Sequence, residues 1–319
     1  MPDPIPWLLE GVPWVRYRTL VDLLGRPEDD PTVVSARGEM LAHPQVQALL
    51  AELADWPGRP LLRHNDAAHP LHKLVFLADI GLRAADPGMA PVVERVLACR
   101  SAEGAFQVVA NINPRFGGTG RDERGWMLCD APSVLYALAR LGLADDARVQ
   151  AAGEHLAGLV RENGWPCAVA PEFGRFRGPG RKSDPCPYAT LVALKALALL
   201  PAWRESPACR VGAETLLQLW AQRREVRPYL FAMGSDFAKL KAPLIWYDIL
   251  HVATVLGNFP WLRADARLQG MVALLRAKAD AEGRFTPESV WKAWAEWDFG
   301  QKKVPSGWVT LRVLGVGHR

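Results

Sequence analysis

Apolar residues in this chain come in dense runs that share one kind of opening. The runs are PWVRYRTLVDLLG from Pro13, HPLHKLVFLADIGL from His69, CDAPSVLYALARLGL from Cys129, DPCPYATLVALKALALL from Asp184, APLIWYDILHVATVLG from Ala242 and VPSGWVTLRVLGV from Val304. They begin roughly 55 to 60 residues apart. Each has proline in or beside its first turn (Pro13, Pro70, Pro132, Pro185 with Pro187, Pro243, Pro305), where a missing N–H costs nothing because the first donors of a helix have no intrahelical acceptor. Each of the first five is followed by a segment with apolar residues at i, i+3, i+4 and i+7, such as DDARVQAAGEHLAGLVREN and PACRVGAETLLQLWAQRRE, the pattern of a helix buried on one face. No run alternates convincingly with a period of two, so the pattern predicts helices throughout.

A short mark separates these units: an apolar helix ends in a polar residue or two, then glycine, then an aromatic. It recurs as SAEGAF at Gly104, ENGW at Gly164 and DAEGRF at Gly283, a spacing of about 60 residues and then about twice that. A worn copy falls between the last two in QRREVRPYLF, where the glycine is lost but Pro228 and an aromatic remain. Six apolar helices, each trailed by an amphipathic one, are most simply arranged as an inner ring inside an outer ring. The expectation is a single all-α domain over residues 1–319, an (α/α)6 toroid of about six helical hairpins, with the inner N-termini at one mouth.

At 319 residues and 50% hydrophobic content, the chain can bury a large core. Lysine and arginine number 38 against 34 acids, a net charge of +4 with no long basic block, which argues against nucleic acid as a partner. Cys99, Cys129, Cys167, Cys186 and Cys209 are odd in number and scattered, so a disulfide framework is not expected and a reducing cytoplasm fits. No stretch reaches 18 uninterrupted apolar residues, and MPDPIPWLLEGVPW lacks a signal-peptide pattern.

Chemistry concentrates at the inner-helix starts. His69 and His72 share a helix face, with a cap plus a surface histidine as the plain alternative. Cys129, Asp130, Tyr136, Trp246, Tyr247 and Trp308 are brought toward the same end. In Arg16-Tyr17-Arg18 a cation turned inward must be paired or bind an anion. Trp291, Trp294 and Trp297, spaced by threes beside Lys302 and Lys303, make an aromatic stripe, read either as core or as the wall of an apolar pocket. Lys239 and Lys241 add charge before the fifth inner helix. Arg181 and Lys182 precede the fourth, whose N-terminus favours anions.

The repeat resembles the worn QxxxGxW repeat of squalene-type terpenoid cyclases, with Arg100, Gly104 and Phe106 filling one copy. The run Arg177, Arg181, Lys182, then Asp184-Pro185-Cys186-Pro187-Tyr188, resembles the basic run and Asp-x-Cys-Tyr of protein prenyltransferase β subunits. That resemblance implies an α/α toroid acting on an isoprenoid or other apolar, phosphorylated substrate. It implies zinc on Asp184 and Cys186 with Asp248 or His251 as third ligand, the latter pair following the aromatics Trp246-Tyr247. Substrate contacts would come from Arg177, Arg181, Lys182, Lys239, Lys241, Trp246, Tyr247 and Trp308, and catalytic groups from Asp184, Tyr188, Asp130 and Asp248. The helical α subunit with which the family's protein-prenylating members work has no counterpart in this chain, and no DxDD acid of the class II cyclases occurs. The plain reading of the same octapeptide makes Asp184 an N-cap, Pro185 the first helical residue and Cys186 a core residue. A carbohydrate-active (α/α)6 enzyme would instead use Asp130, Asp184 and Asp248 as acid and base with tryptophan platforms. A non-catalytic binding toroid is the third reading.

Overall fold

The computed structural model describes residues 3–317 except 177, 179, 226–230 and 232. Arg177 and the worn repeat mark at Pro228 therefore lie outside the described residues. The chain is predominantly helical, and among the described residues no helix is long and apolar enough to cross a membrane. It divides into two compact units, one formed by Met1–Ala51 with Gly234–Arg319 and the other by Glu52–Met233.

The first unit opens with α1 (Ile5–Leu9), α2 (Pro13–Arg18, prolonged by a π-turn over Thr19–Leu23), α3 (Pro31–Ala42) and α4 (Pro44–Glu52). The second unit contains α5 (Pro70–Ile80), α6 (Met89–Ala98), α7 (Ala131–Leu138), α8 (Ala147–Gly158), α9 (Pro187–Leu197), α10 (Pro201–Arg204) and α11 (Pro207–Ala221). The chain then returns to the first unit with α12 (Ile249–Leu256), α13 (Ala266–Arg276) and α14 (Gly307–Leu314). In the second unit α5 packs on α7 and α7 on α9, while α8 lies against α7 and α9, and α11 against α9. Every residue of α7 and of α9 is buried, whereas α8 and α11 bury one face. The first unit repeats this division: α14 packs on α2 and α12, with α3 against α2 and α13 against α12. The most buried helices thus form the interior of each unit, apolar nearly all round in the second, and amphipathic ones cover them.

The recurring glycine-aromatic mark is a docking device. Gly104, Gly164 and Gly283 all have positive φ, between 76° and 100°, a turn that a side chain resists, and the aromatics Phe106, Trp165 and Phe285 are buried. The Trp165 N–H donates to Thr190 Oγ1 (3.1 Å), and its carbonyl accepts the Cys186 N–H (2.7 Å). The Phe285 N–H donates to Thr310 Oγ1 (2.9 Å), and its carbonyl accepts the Ser306 N–H (2.9 Å). The marks at Gly164 and Gly283 therefore clip onto the first turn of the next interior helix. A Cβ at Gly164 would stand 3.0 Å from Thr190 Oγ1 and 3.1 Å from Thr215 Oγ1. Gly164→Ala is accordingly expected to destabilise by about 1–2 kcal/mol, and Gly270→Ala, in α13 with nothing near its Cβ, to stabilise by up to about 1 kcal/mol. Urea unfolding of the two variants checks the contrast.

Three expectations need correction. α9 starts at Pro187 with Cys186 as its N-cap, so Asp184 and Pro185 precede the helix. α12 starts at Ile249 with Asp248 as its cap, so Pro243 opens a loop. A small antiparallel sheet interrupts the helices: Val108–Asn111 (β1) pairs with Asp122–Gly125 (β2). Strands of four residues are too short to show a period. The tryptophan stripe resolves toward core: Trp294 and Trp297 are buried, Trp297 stacks on Phe299 and meets Trp14 (4.8 Å), and the local helix is one 3-10 turn, Lys292–Trp294. In the 16–18 triplet Arg16 pairs with Glu39, and the buried Arg18 pairs with Asp22 at 2.6 Å.

Candidate functional site

The residue just before each interior helix normally caps it. His69 Nδ1 accepts the Leu71 N–H (3.1 Å) at α5, Cys186 Sγ the Ala189 N–H (3.5 Å) at α9, Asp248 Oδ1 the His251 N–H (2.9 Å) at α12 and Ser306 Oγ the Val309 N–H (3.1 Å) at α14. Asp130 holds this position at α7 and makes no capping bond. Forgoing a cap costs a helix about 1 kcal/mol. Instead Asp130 Oδ2 accepts the Nδ1–H of His64 at 2.7 Å. Its other oxygen, Oδ1, is buried and has no hydrogen-bond partner among the described residues, and the residue is 0% exposed. A stranded carboxylate oxygen of this kind is costly, because a buried acceptor loses its water without recovering a donor.

His64 sits in the loop RHNDAAHP ahead of α5, its side chain 28% exposed. Burial opposes the imidazolium, but the charge and hydrogen bond of Asp130, with charge from Cys167 and Cys186, hold its pKa up to about 9. Nε2 makes no hydrogen bond among the described residues. The neighbouring histidines serve the backbone: His69 Nε2 donates to the Arg59 carbonyl (2.9 Å), and His72 Nε2 to the His64 carbonyl (2.9 Å). His72 is buried rather than on the surface, and burial takes its pKa down to about 4.

Beside this pair three thiols meet. Cys129 precedes Asp130, Cys167 follows the glycine-tryptophan mark, and Cys186 caps α9. Backbone bonds hold the three segments together: Leu128 N–H to the Ala168 carbonyl (3.0 Å), Ala170 N–H to the Trp126 carbonyl (2.8 Å) and Cys186 N–H to the Trp165 carbonyl (2.7 Å). Hydrogen bonding couples the Cys129 thiol to both other sulfurs. Those two bonds, with burial, push the Cys129 pKa well up. The bond to Cys129 brings Cys167 down to about 7 against burial, helped by the His64 charge and the Gly178 N–H. Cys186 is lowered by the Cys129 bond, against burial, and by the Ala189 N–H at the helix end. Cys209, alone in α11, shows the opposite behaviour: burial raises it to about 11. Tyr188, the second residue of α9, is buried, and burial with the nearby Asp130, Cys129 and Cys186 keeps its hydroxyl protonated far above its usual range.

The other expected residues fall as follows. Arg181 and Lys182 are exposed, and the Arg181 N–H is taken by Asp184 Oδ2 (3.1 Å). Arg181 and Asp184 line a surface groove of about 850 Å³ in which Arg210 is matched by Glu162, Glu214 and Glu225, so the groove is not a cationic mouth. In the first unit Lys239 pairs with Asp236 (3.0 Å), Lys241 lies 3.4 Å from the Trp291 ring centroid, and Trp308, buried, donates its backbone N–H to Asp298 Oδ2 (3.0 Å). Tyr247 is buried and Trp246 half-buried, and the Trp246 carbonyl is bonded to His251 Nδ1 (2.8 Å). Asp248 is buried, and burial raises its pKa to about 7 despite the His251 N–H and Lys241. Of the zinc ligands implied by resemblance, Asp184 and Cys186 belong to the second unit and the alternative third ligands, Asp248 and His251, to the first, with Asp184, Asp248 and His251 bonded to backbone groups. Among the described residues there is no group of three or more His, Cys, Asp or Glu side chains placed to hold a metal ion.

Sequence reading missed His64 and Cys167. Three histidines within residues 64–72 and a cysteine two residues past the repeat tryptophan were the available signals. No family model matches this chain and no curated protein matches it. Among solved structures it is similar to a crystal structure of a protein from Actinoplanes, at 14% identity and a TM-score of 0.42, over 96% of this chain and 88% of that one.

Proposed function

We propose that the chain is a group-transfer enzyme of the prenyl type on an α/α-toroid frame, working at the His64–Asp130 pair beside Cys129, Cys167 and Cys186. One observation carries the reading: Asp130 leaves its own helix uncapped and holds His64 at 2.7 Å instead. Gripped through Nδ1, the imidazolium turns Nε2–H to a substrate. There it donates to an anionic leaving group such as a diphosphate while the C–O bond breaks and the electron pair leaves with oxygen. The Cys167 sulfur, whose pKa is brought down to about 7, favours the positive charge left on carbon, and the second substrate supplies the new bond. The carbohydrate reading draws on Asp248 alone, a buried acid whose pKa of about 7 suits proton donation to a glycosidic oxygen.

Titration of the purified protein with a prenyl diphosphate and with a neutral oligosaccharide separates the two. His64→Gln is expected to weaken the diphosphate more than about tenfold, the value of one charge-assisted hydrogen bond. Arg181→Ala/Lys182→Ala is expected to change it less than about twofold, since these exposed cations stand ahead of an N-terminus already capped by Cys186. Oligosaccharide binding that depends on Asp248, with diphosphate affinity indifferent to His64, would replace the prenyl reading.

A further inference from the structure

We propose that the β1–β2 hairpin, with the two segments bonded to it, is a docking surface for an anionic lipid bilayer. The surface stands on its own observations. Its use, to bring a membrane-dissolved apolar substrate to the His64–Asp130 pair, rests on the proposed function.

Backbone bonds build the surface from three stretches of the second unit. The Leu61 N–H donates to the Val109 carbonyl (2.8 Å), and the Leu61 carbonyl accepts the Asn111 N–H (3.3 Å). Residues 61–63 therefore run beside β1 on the edge opposite β2. At the turn of the hairpin the Gly118 N–H donates to the Asn113 carbonyl (3.4 Å) and the Gly120 N–H to that of Ile112 (3.0 Å), while the Gly117 carbonyl accepts the Arg175 N–H (2.8 Å) and so ties in the loop after Phe173.

Two kinds of side chain collect on this frame. Leu62 and Phe116 are 66% and 67% exposed, the two most exposed large apolar side chains among the described residues. Arg63, Arg115, Arg121 and Arg175 are exposed, and none of the four makes an ion pair among the described residues. Elsewhere arginines find acids, as Arg16 does with Glu39, Arg148 with Asp146 and Arg267 with Asp265. Residues 61–63, 108–125 and 171–176 together hold five arginines and three acids, so the cations are in excess.

Unpaired arginines around exposed apolar side chains match the boundary of an anionic bilayer. There the apolar groups leave water for the acyl region while the guanidinium groups stay among the headgroups. A nucleic acid would use the arginines and stack on Phe116, but it offers nothing to an aliphatic Leu62. The sheet also leads into the site. Leu61 stands three residues before His64, and β2 ends at Gly125, five before Asp130.

The full-length protein should be floated with vesicles of phosphatidylcholine, alone or mixed with phosphatidylserine. Binding is expected to the mixed vesicles only, and to weaken with salt. Phe116→Ser should lower affinity about tenfold. The triple variant Arg115→Gln/Arg121→Gln/Arg175→Gln should lower it on the order of 100-fold at low salt, about fivefold for each cation. Val34→Ser, which removes an exposed apolar side chain from α3, should match the wild type. All these positions are exposed, and unchanged thermal unfolding would confirm that the variants fold. A wild type that ignores phosphatidylserine vesicles, or variants that bind them as the wild type does, overturns the surface. Loss of a single-stranded oligonucleotide through the same arginines, in a protein indifferent to vesicles, would make it a nucleic-acid surface instead and equally overturn the lipid. Vesicle binding without affinity for prenyl diphosphate would sink the proposed function and leave the docking surface. Diphosphate affinity that depends on His64, in a protein that ignores vesicles, would do the reverse.

Discussion

Asp248→Asn is expected to stabilise the protein above neutral pH, by on the order of 4 kcal/mol at pH 8. The carboxyl group is buried at the start of α12, where burial outweighs the His251 and Leu250 N–H groups and the Lys241 charge, and lifts its pKa from 3.8 to about 7. An acid whose folded pKa is raised binds its proton more tightly folded than unfolded. Its cost is therefore absent below about pH 3.8, grows as pH rises toward 7 and is constant beyond. Asparagine retains the capping oxygen and is as good an N-cap, but it cannot ionise. Urea unfolding from pH 4.5 to 8 should show wild type and variant close at the acid end and diverging through neutrality. Parallel curves across that range would mean that Asp248 ionises in the fold as freely as in the unfolded chain.

Asp130→Asn is expected to act with the opposite sign. His64 has its pKa raised from 6.5 to about 9, so the pairing stabilises the fold fully below pH 6.5 and is lost as pH climbs through 9. The difference is worth about 3 kcal/mol, with the imidazole 28% exposed. The His64 ring protons followed by NMR should titrate near 9, and in the variant near or below 6.5, because burial remains after the partner charge is gone. His64→Gln assigns the resonance. A wild-type His64 that titrates at its ordinary value would remove Asp130 as its partner and, with it, the observation on which the proposed function rests.

Particular residues show where sequence was sufficient. Proline at the first turn located α2, α5, α7 and α9 within a few residues, because a residue without an N–H is tolerated there and nowhere further along a helix. It misled at Pro243, where the helix waits until Asp248 can accept the free N–H groups of its first turn. The glycine of each mark was legible as a turn because only glycine takes the positive φ without strain. That its neighbour would clip onto a threonine 25 residues ahead, at Thr190 and again at Thr310, is a regularity visible only in three dimensions. The tryptophan stripe at Trp291, Trp294 and Trp297 carried helical spacing, but its rings found a core of Trp14 and Phe299 to bury against, and hydrophobic contact has no preference for period.

Sequence alone determined that the chain would be helical, that buried-all-round helices would alternate with one-faced ones, and where glycine must turn the backbone, because these follow from local sterics and from residues a few positions apart. Tertiary structure alone decided which polar side chains would share a site. Cys129, Cys167 and Cys186 have no short common spacing, and Asp184, the most motif-like acid, turned to its own loop while Asp130 turned from its helix to His64. Such choices depend on which unpaired donors and charges folding buries together, and that is set by the packing of α5, α7 and α9 rather than by order along the chain.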